Sequence, residues 1–159
     1  MIEIKEFDKI DQTKVRKFVL DIQNIEFNLG FGEYEQPDLI DTKKFYEGGG
    51  FWIAKIEGNI VGTIGLQILH GQNSVLRKMF VKKEFRGREF NIAQSLFDTL
   101  FEFAKKKGIN AIWLDTPAVA TASHKFYERN GFVQSNKQNL PEGYVFTDKN
   151  SKVYKLTIS

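Results

Sequence analysis

One stretch, Val75 to Leu100 (VLRKMFVKKEFRGREFNIAQSLFDTL), limits the fold of this chain more than any other. It opens with apolar residues at strand density and turns through a basic segment, Arg86-Gly87-Arg88. It then continues as an amphipathic helix from Asn91 to Lys107. Ile92, Leu96, Leu100 and Phe103 form one apolar stripe, flanked by Ala93, Phe97, Phe101 and Ala104, and Gly108 ends the helix. A further strand begins at Ala111. Strand, helix and strand in that order make a crossover unit, and the shorter strands before it suit hairpins, so the pattern predicts a mixed α/β sheet. A helix start behind a basic, glycine-containing turn also presents backbone N–H groups and a positive dipole end, which together suit an anion.

The rest of the chain fits around this unit. Ile2, Ile4 and Phe7 predict a first strand. Asp11 is placed to cap a helix whose apolar face carries Val15, Phe18, Val19, Ile22 and Ile25. A loop spans Asn28 to Pro37, and a brief helix is expected over Asp38 to Tyr46. Phe51–Ile56 and Ile60–Gln67 read as strands joined by the tight turn Glu57-Gly58-Asn59, with a third strand ending at Val81. After Ala111 come a short helix from about Thr121, stopped by Asn130-Gly131, and two strands near Phe132–Gln134 and Lys152–Thr157.

At 159 residues, 42% of them hydrophobic, the chain is expected to form one domain over residues 1–159 around a single core. No apolar run is long enough to span a bilayer, and the start, MIEIKEFDKIDQTK, lacks the apolar region of a secretory signal. With no cysteine there is no disulfide framework and no thiol nucleophile. The expectation is a cytoplasmic protein with no membrane partner. A net charge of +3 favours a polyanionic small ligand but is too small to argue for nucleic acid. The basic residues nevertheless cluster: Arg77, Lys78, Lys82, Lys83, Arg86 and Arg88 precede or enter the turn, whereas Lys105–Lys107 suit a solvated helix end. His70 and His124 are isolated, which gives a zinc site little support. Gly48-Gly49-Gly50 precedes a strand and lacks the Gly-Lys-Ser/Thr ending of an ATP loop.

The segments KMFVKKEFRG and HKFYERNGF, with the helix between them, resemble the GNAT superfamily of N-acetyltransferases. The resemblance runs from about Phe51 to Val133. It implies a GNAT-like acyl-CoA acyltransferase fold, a mostly antiparallel central sheet flanked by helices, with acetyl-CoA as co-substrate. The family's phosphate loop reads Arg or Gln, two residues, Gly, one residue, Gly or Ala. Here Arg86 fits the first position, while Glu89 and Asn91 stand where the later glycines belong. The resemblance places the pyrophosphate on Arg86, Gly87, Arg88, Glu89, Phe90, Asn91 and Ile92. Met79, Phe80 and Val81 are placed where backbone groups take the pantetheine arm and the thioester carbonyl. Glu89 is expected to turn its side chain to solvent, and Asn91 to cap the helix. Tyr127, four residues before Gly131, matches a tyrosine that protonates the departing thiolate, and Phe126 reads as core.

Many members carry a Glu at the start of the central strand, where this chain has Ser74 and Val75. Glu26, Glu33, Glu35, Asp38 and Asp115 are the remaining carboxylates that could take the acceptor's proton, and nothing in the sequence selects among them. The resemblance therefore implies direct acetyl transfer to a small-molecule or peptide amine, with room for a homodimer. The altered loop and absent Glu leave open a non-catalytic acyl-CoA sensor, and, further off, a basic nucleic-acid-binding domain.

Overall fold

The computed structural model describes residues 1–145 and 150–158. They gather into two compact units, Met1–Gln67 with Arg77–Phe103 and Ile68–Leu76 with Ala104–Ser159.

In the first unit β1 (Ile2–Glu6) pairs antiparallel with β2 (Gly50–Ile56), Ile2 opposite Ile56. β2 pairs antiparallel with β3 (Asn59–Ile68), and β3 neighbours β4 (Asn73–Val81). The hairpin turn is Glu57-Gly58 alone, because Asn59 already pairs with Ile56. Between β1 and β2 lie α1 (Gln12–Asp21), α2 (Pro37–Ile40) and α3 (Thr42–Phe45). Their core is Val15, Val19, Leu39, Tyr46, Phe51 and Ile53, all nearly or wholly buried. Burying an aliphatic or aromatic side chain of this size contributes about 1.5–3 kcal/mol, so this cluster is what fixes the short helices to the strands. After β4, α4 (Ile92–Lys106) sets Ile92, Leu96, Phe97 and Leu100 into the interior. Its spacing was enough to find it.

Three local expectations fail here. Asp11 precedes α1 but makes no cap bond to it. Its buried carboxylate instead accepts from the backbone of Asp8 and pairs with Lys55 at 3.2 Å and Lys5 at 3.4 Å. Ile25 leaves the apolar face because the helix widens to a π-turn over Ile22–Glu26, which rotates the residues beyond Ile22 and leaves Ile25 79% exposed. The single helix over Asp38–Tyr46 is two four-residue helices, broken at Asp41, whose φ and ψ of −137° and 84° are not helical.

In the second unit the start of β4 pairs parallel with β5 (Ala111–Pro117), as a crossover requires, with Asn73 opposite Ala111. β5 pairs antiparallel with β7 (Ser151–Thr157), and β7 with β6 (Val133–Ser135). α5 (Thr121–Arg129) precedes β6. Ala111, Trp113 and Val153 form a core, with Leu140 and Tyr144 packed on it. Four of the pairings are antiparallel and β4–β5 is parallel, which is the mixed, mostly antiparallel sheet that the sequence implies.

Candidate active site

The second half of β4 departs from an ordinary strand. Lys78 has φ of +53°, a left-handed conformation that costs a non-glycine residue about 1–3 kcal/mol. Its carbonyl accepts from Thr63 Oγ1 at 2.8 Å, and its ammonium meets Asp38 Oδ2 at 3.1 Å. The same carboxylate oxygen accepts from the Tyr46 hydroxyl at 2.7 Å. Burial, and then the Asp38 charge, hold the Tyr46 phenol well above its ordinary pKa. Immediately downstream come Met79 and Phe80, half-buried, and Val81, buried. Gly62 of β3 lets this segment and α4 come close. A Cβ there would stand 2.9 Å from Leu96, 3.1 Å from Ile92 and 3.2 Å from the Phe80 carbonyl oxygen.

The basic turn follows. Lys83–Phe85 form a single 3-10 turn, and Gly87 then takes φ of +115°, which only glycine holds easily. The Asn91 N–H donates to the Gly87 carbonyl at 3.3 Å and closes one loop of chain. Asn91 has φ of +56°, and its carbonyl accepts from the N–H and the hydroxyl of Ser95 at 3.0 and 2.8 Å. It opens α4 through its backbone. Turn residues of this kind followed by a helix start form a concavity lined by N–H groups, which suits phosphate oxygens. Phe90 anchors the turn on Phe85, ring centroids 5.4 Å apart, and Ile92 anchors it in the core. Arg88, Glu89 and Asn91 are exposed. The Arg86 guanidinium donates to Val81 O at 2.9 Å and to both oxygens of Glu26 at 2.5 and 2.7 Å. These bonds hold the Glu26 carboxyl below its usual pKa. Its guanidinium thus braces the turn.

In the second unit, Tyr127 of α5 is 7% exposed and packs against Phe126, Phe132 and Tyr154, ring centroids 5.7, 5.6 and 6.3 Å away. Phe126 is half-buried rather than core, with the Arg129 guanidinium over its ring. The Tyr127 hydroxyl has no hydrogen-bond partner among the described residues. Burial raises its pKa, and the Asp115 charge raises it further. This phenol stays protonated and suits a donor, not a base.

Of the five candidate carboxylates, Asp38 is buried and Asp115 half-buried, accepting from the Tyr144 hydroxyl. Glu26 is engaged by Arg86, Glu33 lies 3.8 Å from Arg16, and Glu35 accepts from the Gly32 N–H. The Asp38–Tyr46–Lys78 cluster was not found from the sequence. Its members are far apart in the chain and carry no motif. Among the described residues no group of three or more His, Cys, Asp or Glu could hold a metal, and no helix is long and apolar enough to cross a membrane.

Residues 16–132 match the Acetyltransferase (GNAT) family. This chain belongs to the GNAT acetyltransferases. Among its GNAT relatives, a probable N-acetyltransferase camello of Xenopus tropicalis is 32% identical over 121 residues, covering 73% of this chain and 54% of that one. An N-acetylaspartate synthetase of Danio rerio is 38% identical over 99 residues, covering 60% of this chain and 34% of that one. The chain thus spans about half the length, or less, of these curated relatives. A solved acetyltransferase of the GNAT family from Staphylococcus aureus Mu50 superposes along the whole of both chains with TM-score 0.93 and 33% identity.

Proposed function

We propose that this protein is an acetyl-CoA-dependent N-acetyltransferase that passes the acetyl group directly to an amine. The observation that carries the reading is the turn from Gly87 to Asn91, closed on itself by a backbone hydrogen bond and opening straight into α4. The N–H groups of Gly87–Phe90 and Ile92 hold the pyrophosphate, those of Arg86 and Asn91 being spent on the Lys83 and Gly87 carbonyls, and the Met79–Val81 backbone takes the pantetheine arm and the thioester carbonyl. The solved relative of full length, itself described as a GNAT acetyltransferase, supports the same reading.

The amine nitrogen attacks the thioester carbonyl carbon, the carbon–sulfur bond breaks, and sulfur leaves with the electron pair. Tyr127 supplies a proton or hydrogen bond to that sulfur. Before attack the amine must lose a proton, and a lysine-like amine with pKa near 10.4 carries a penalty of roughly 4–5 kcal/mol at pH 7. A carboxylate acting through water, or an acceptor of low pKa, meets that requirement. The acceptor is a small-molecule or peptide amine. The N-acetylaspartate synthetases among the relatives make an amino acid one candidate to include in any panel.

Thiol release from acetyl-CoA across amines, amino acids, polyamines and peptides tests this reading. Release that depends on one amine is expected. One observation favours a second reading, a non-catalytic acyl-CoA sensor: Ser74, at the strand start where many members place Glu, is fully buried and donates to Ala111 O at 2.9 Å. A sensor would bind acetyl-CoA and release no thiol with any acceptor.

A further inference from the structure

Lys78 combines two locally unfavourable features in one residue. Its backbone is left-handed inside a strand, where glycine or asparagine would sit with less strain. Its ammonium, 15% exposed, is paired with a carboxylate 5% exposed. A largely buried ion pair adds little net stability, because desolvating both charges offsets their attraction. Well-packed apolar side chains often hold a fold as well as a buried ion pair does. Such features persist where surrounding structure fixes them, and they collect at working sites.

The surrounding structure does fix this one. Thr63, fully buried, holds the Lys78 carbonyl. Asp38 holds its ammonium, and Tyr46 orients Asp38. Asp38 is itself tied back: its carbonyl accepts from the Thr42 hydroxyl at 2.7 Å, and that hydroxyl accepts from Gln12 of α1. The Tyr46 ring fits because Gly65 has no side chain. A Cβ there would lie 2.7 Å from the ring. Lys78 is thus gripped at its carbonyl and at its ammonium, one residue before Met79.

We infer that Lys78, clamped between Thr63 and the Asp38–Tyr46 pair, is a positioning residue that sets the direction of the Met79–Val81 backbone for the thioester. This rests on the acetyltransferase reading above. On this reading Asp38 acts through Lys78 and not as the acceptor's base, so the clamp touches no reacting atom. It determines where the backbone groups that meet the thioester point, so its loss should lower turnover more than it weakens hold on the coenzyme's phosphates.

The test uses the full chain and the double variant Asp38→Asn/Lys78→Met, which removes both charges together and avoids stranding one. Calorimetric affinity for CoA and kcat with acetyl-CoA and the most active amine of the panel are compared with the parent. Expected is a folded protein whose CoA affinity changes less than about threefold while kcat falls at least about tenfold. Tyr46→Phe, which removes a single oxygen and keeps the ring, should lower kcat about threefold to tenfold with the same split. A folded double variant with kcat within about twofold of the parent overturns the inference. If the double variant does not fold, parent-like kcat in Tyr46→Phe overturns it as well. A parent that neither binds CoA nor releases thiol defeats the acetyltransferase reading, and this inference with it. That result is distinct from an active parent whose clamp variants are equally active.

Discussion

The proposed function places the chemistry of the Gly87–Asn91 turn and that of Tyr127 in opposite kinds of atom. In the turn the side chains of Arg88, Glu89 and Asn91 are exposed, and what is special is the backbone: positive φ at Gly87 and Asn91, with Phe90 and Ile92 as anchors. At Tyr127 the backbone is an ordinary helix turn, and what is special is one side-chain oxygen on a ring packed in an aromatic cluster. A site made of N–H groups tolerates unusual side chains, because a carboxylate or amide that points to water leaves the donors in place. A site made of one hydroxyl tolerates no change at that atom. On the proposed reading, Glu89 and Asn91 can stand in glycine positions without loss of donors, whereas Tyr127 has no substitute for its hydroxyl.

The sharpest way to break the comparison is Gly87→Pro. Proline removes a backbone donor and fixes φ near −65°, against the +115° observed. Acetyl-CoA affinity should fall at least about a hundredfold, roughly 2.7 kcal/mol. The ligand-induced rise in melting temperature at millimolar acetyl-CoA should then vanish. Parent-like binding by a folded Gly87→Pro protein would remove the turn from the site.

Gly62→Ala comes next. The added methyl would press on Leu96, Ile92 and the Phe80 carbonyl at 2.9–3.2 Å, and overpacking of this kind costs about 1–3 kcal/mol. Chemical denaturation should show that loss. Because the pressure falls on the first turn of α4 and on β4 together, acetyl-CoA affinity should fall too. A loss of stability with intact affinity would mean that the α4 start and the Phe80 backbone bind independently of their spacing.

Tyr127→Phe tests the other side of the comparison. The ring and its packing stay, and only the proton goes, so kcat should fall about tenfold, or 1.4 kcal/mol, with melting temperature and acetyl-CoA affinity near the parent's. The pH dependence has a definite sign. A phenol whose pKa is raised in the fold stays protonated through neutral and mildly alkaline pH. The stability linked to it is present below pH about 10 and is lost as pH rises toward the raised value. Tyr127 ionisation should therefore produce no fall in kcat below pH about 10. Unchanged kcat in Tyr127→Phe, with chemistry rate-limiting, would return the residue to a packing role.

Much of this was legible in the chain. Periodicity alone located α4, and the same local signals placed β4, β5 and the stop at Asn130-Gly131. What escaped is longer in range or against local preference. Nothing in IQNIE announces a π-turn, so helical periodicity puts Ile25 on a face it does not occupy. Asp11 looks like a cap because caps are short-range, whereas its partner Lys55 lies 44 residues away. The brace between Arg86 and Glu26 joins residues 60 apart. The left-handed backbone at Lys78 contradicts its residue type, and only the tertiary partners Thr63 and Asp38 account for it. Local patterning gave the elements, and the unpatterned long-range polar pairs gave the site its shape.

The smallest expected effect sharpens the comparison most finely. Glu89 puts a negative charge beside the proposed pyrophosphate, but its side chain is exposed and the carboxylate also favours the positive start of α4. These two effects oppose each other. Glu89→Gln removes the repulsion and keeps the shape, so acetyl-CoA affinity should rise only about twofold to threefold, roughly 0.5 kcal/mol, as expected for solvated charges in high dielectric. The gain should shrink as salt is raised from low ionic strength to about 0.5 M, since screening weakens exposed charge pairs first. Protein stability should fall by a few tenths of a kcal/mol as the dipole loses its partner. A gain of about fiftyfold or more, insensitive to salt, would mean that Glu89 points into the cradle and that the turn is not a backbone site. No change in affinity at low salt would place the phosphates beyond the reach of this residue, and the pyrophosphate would then have to sit closer to Gly87.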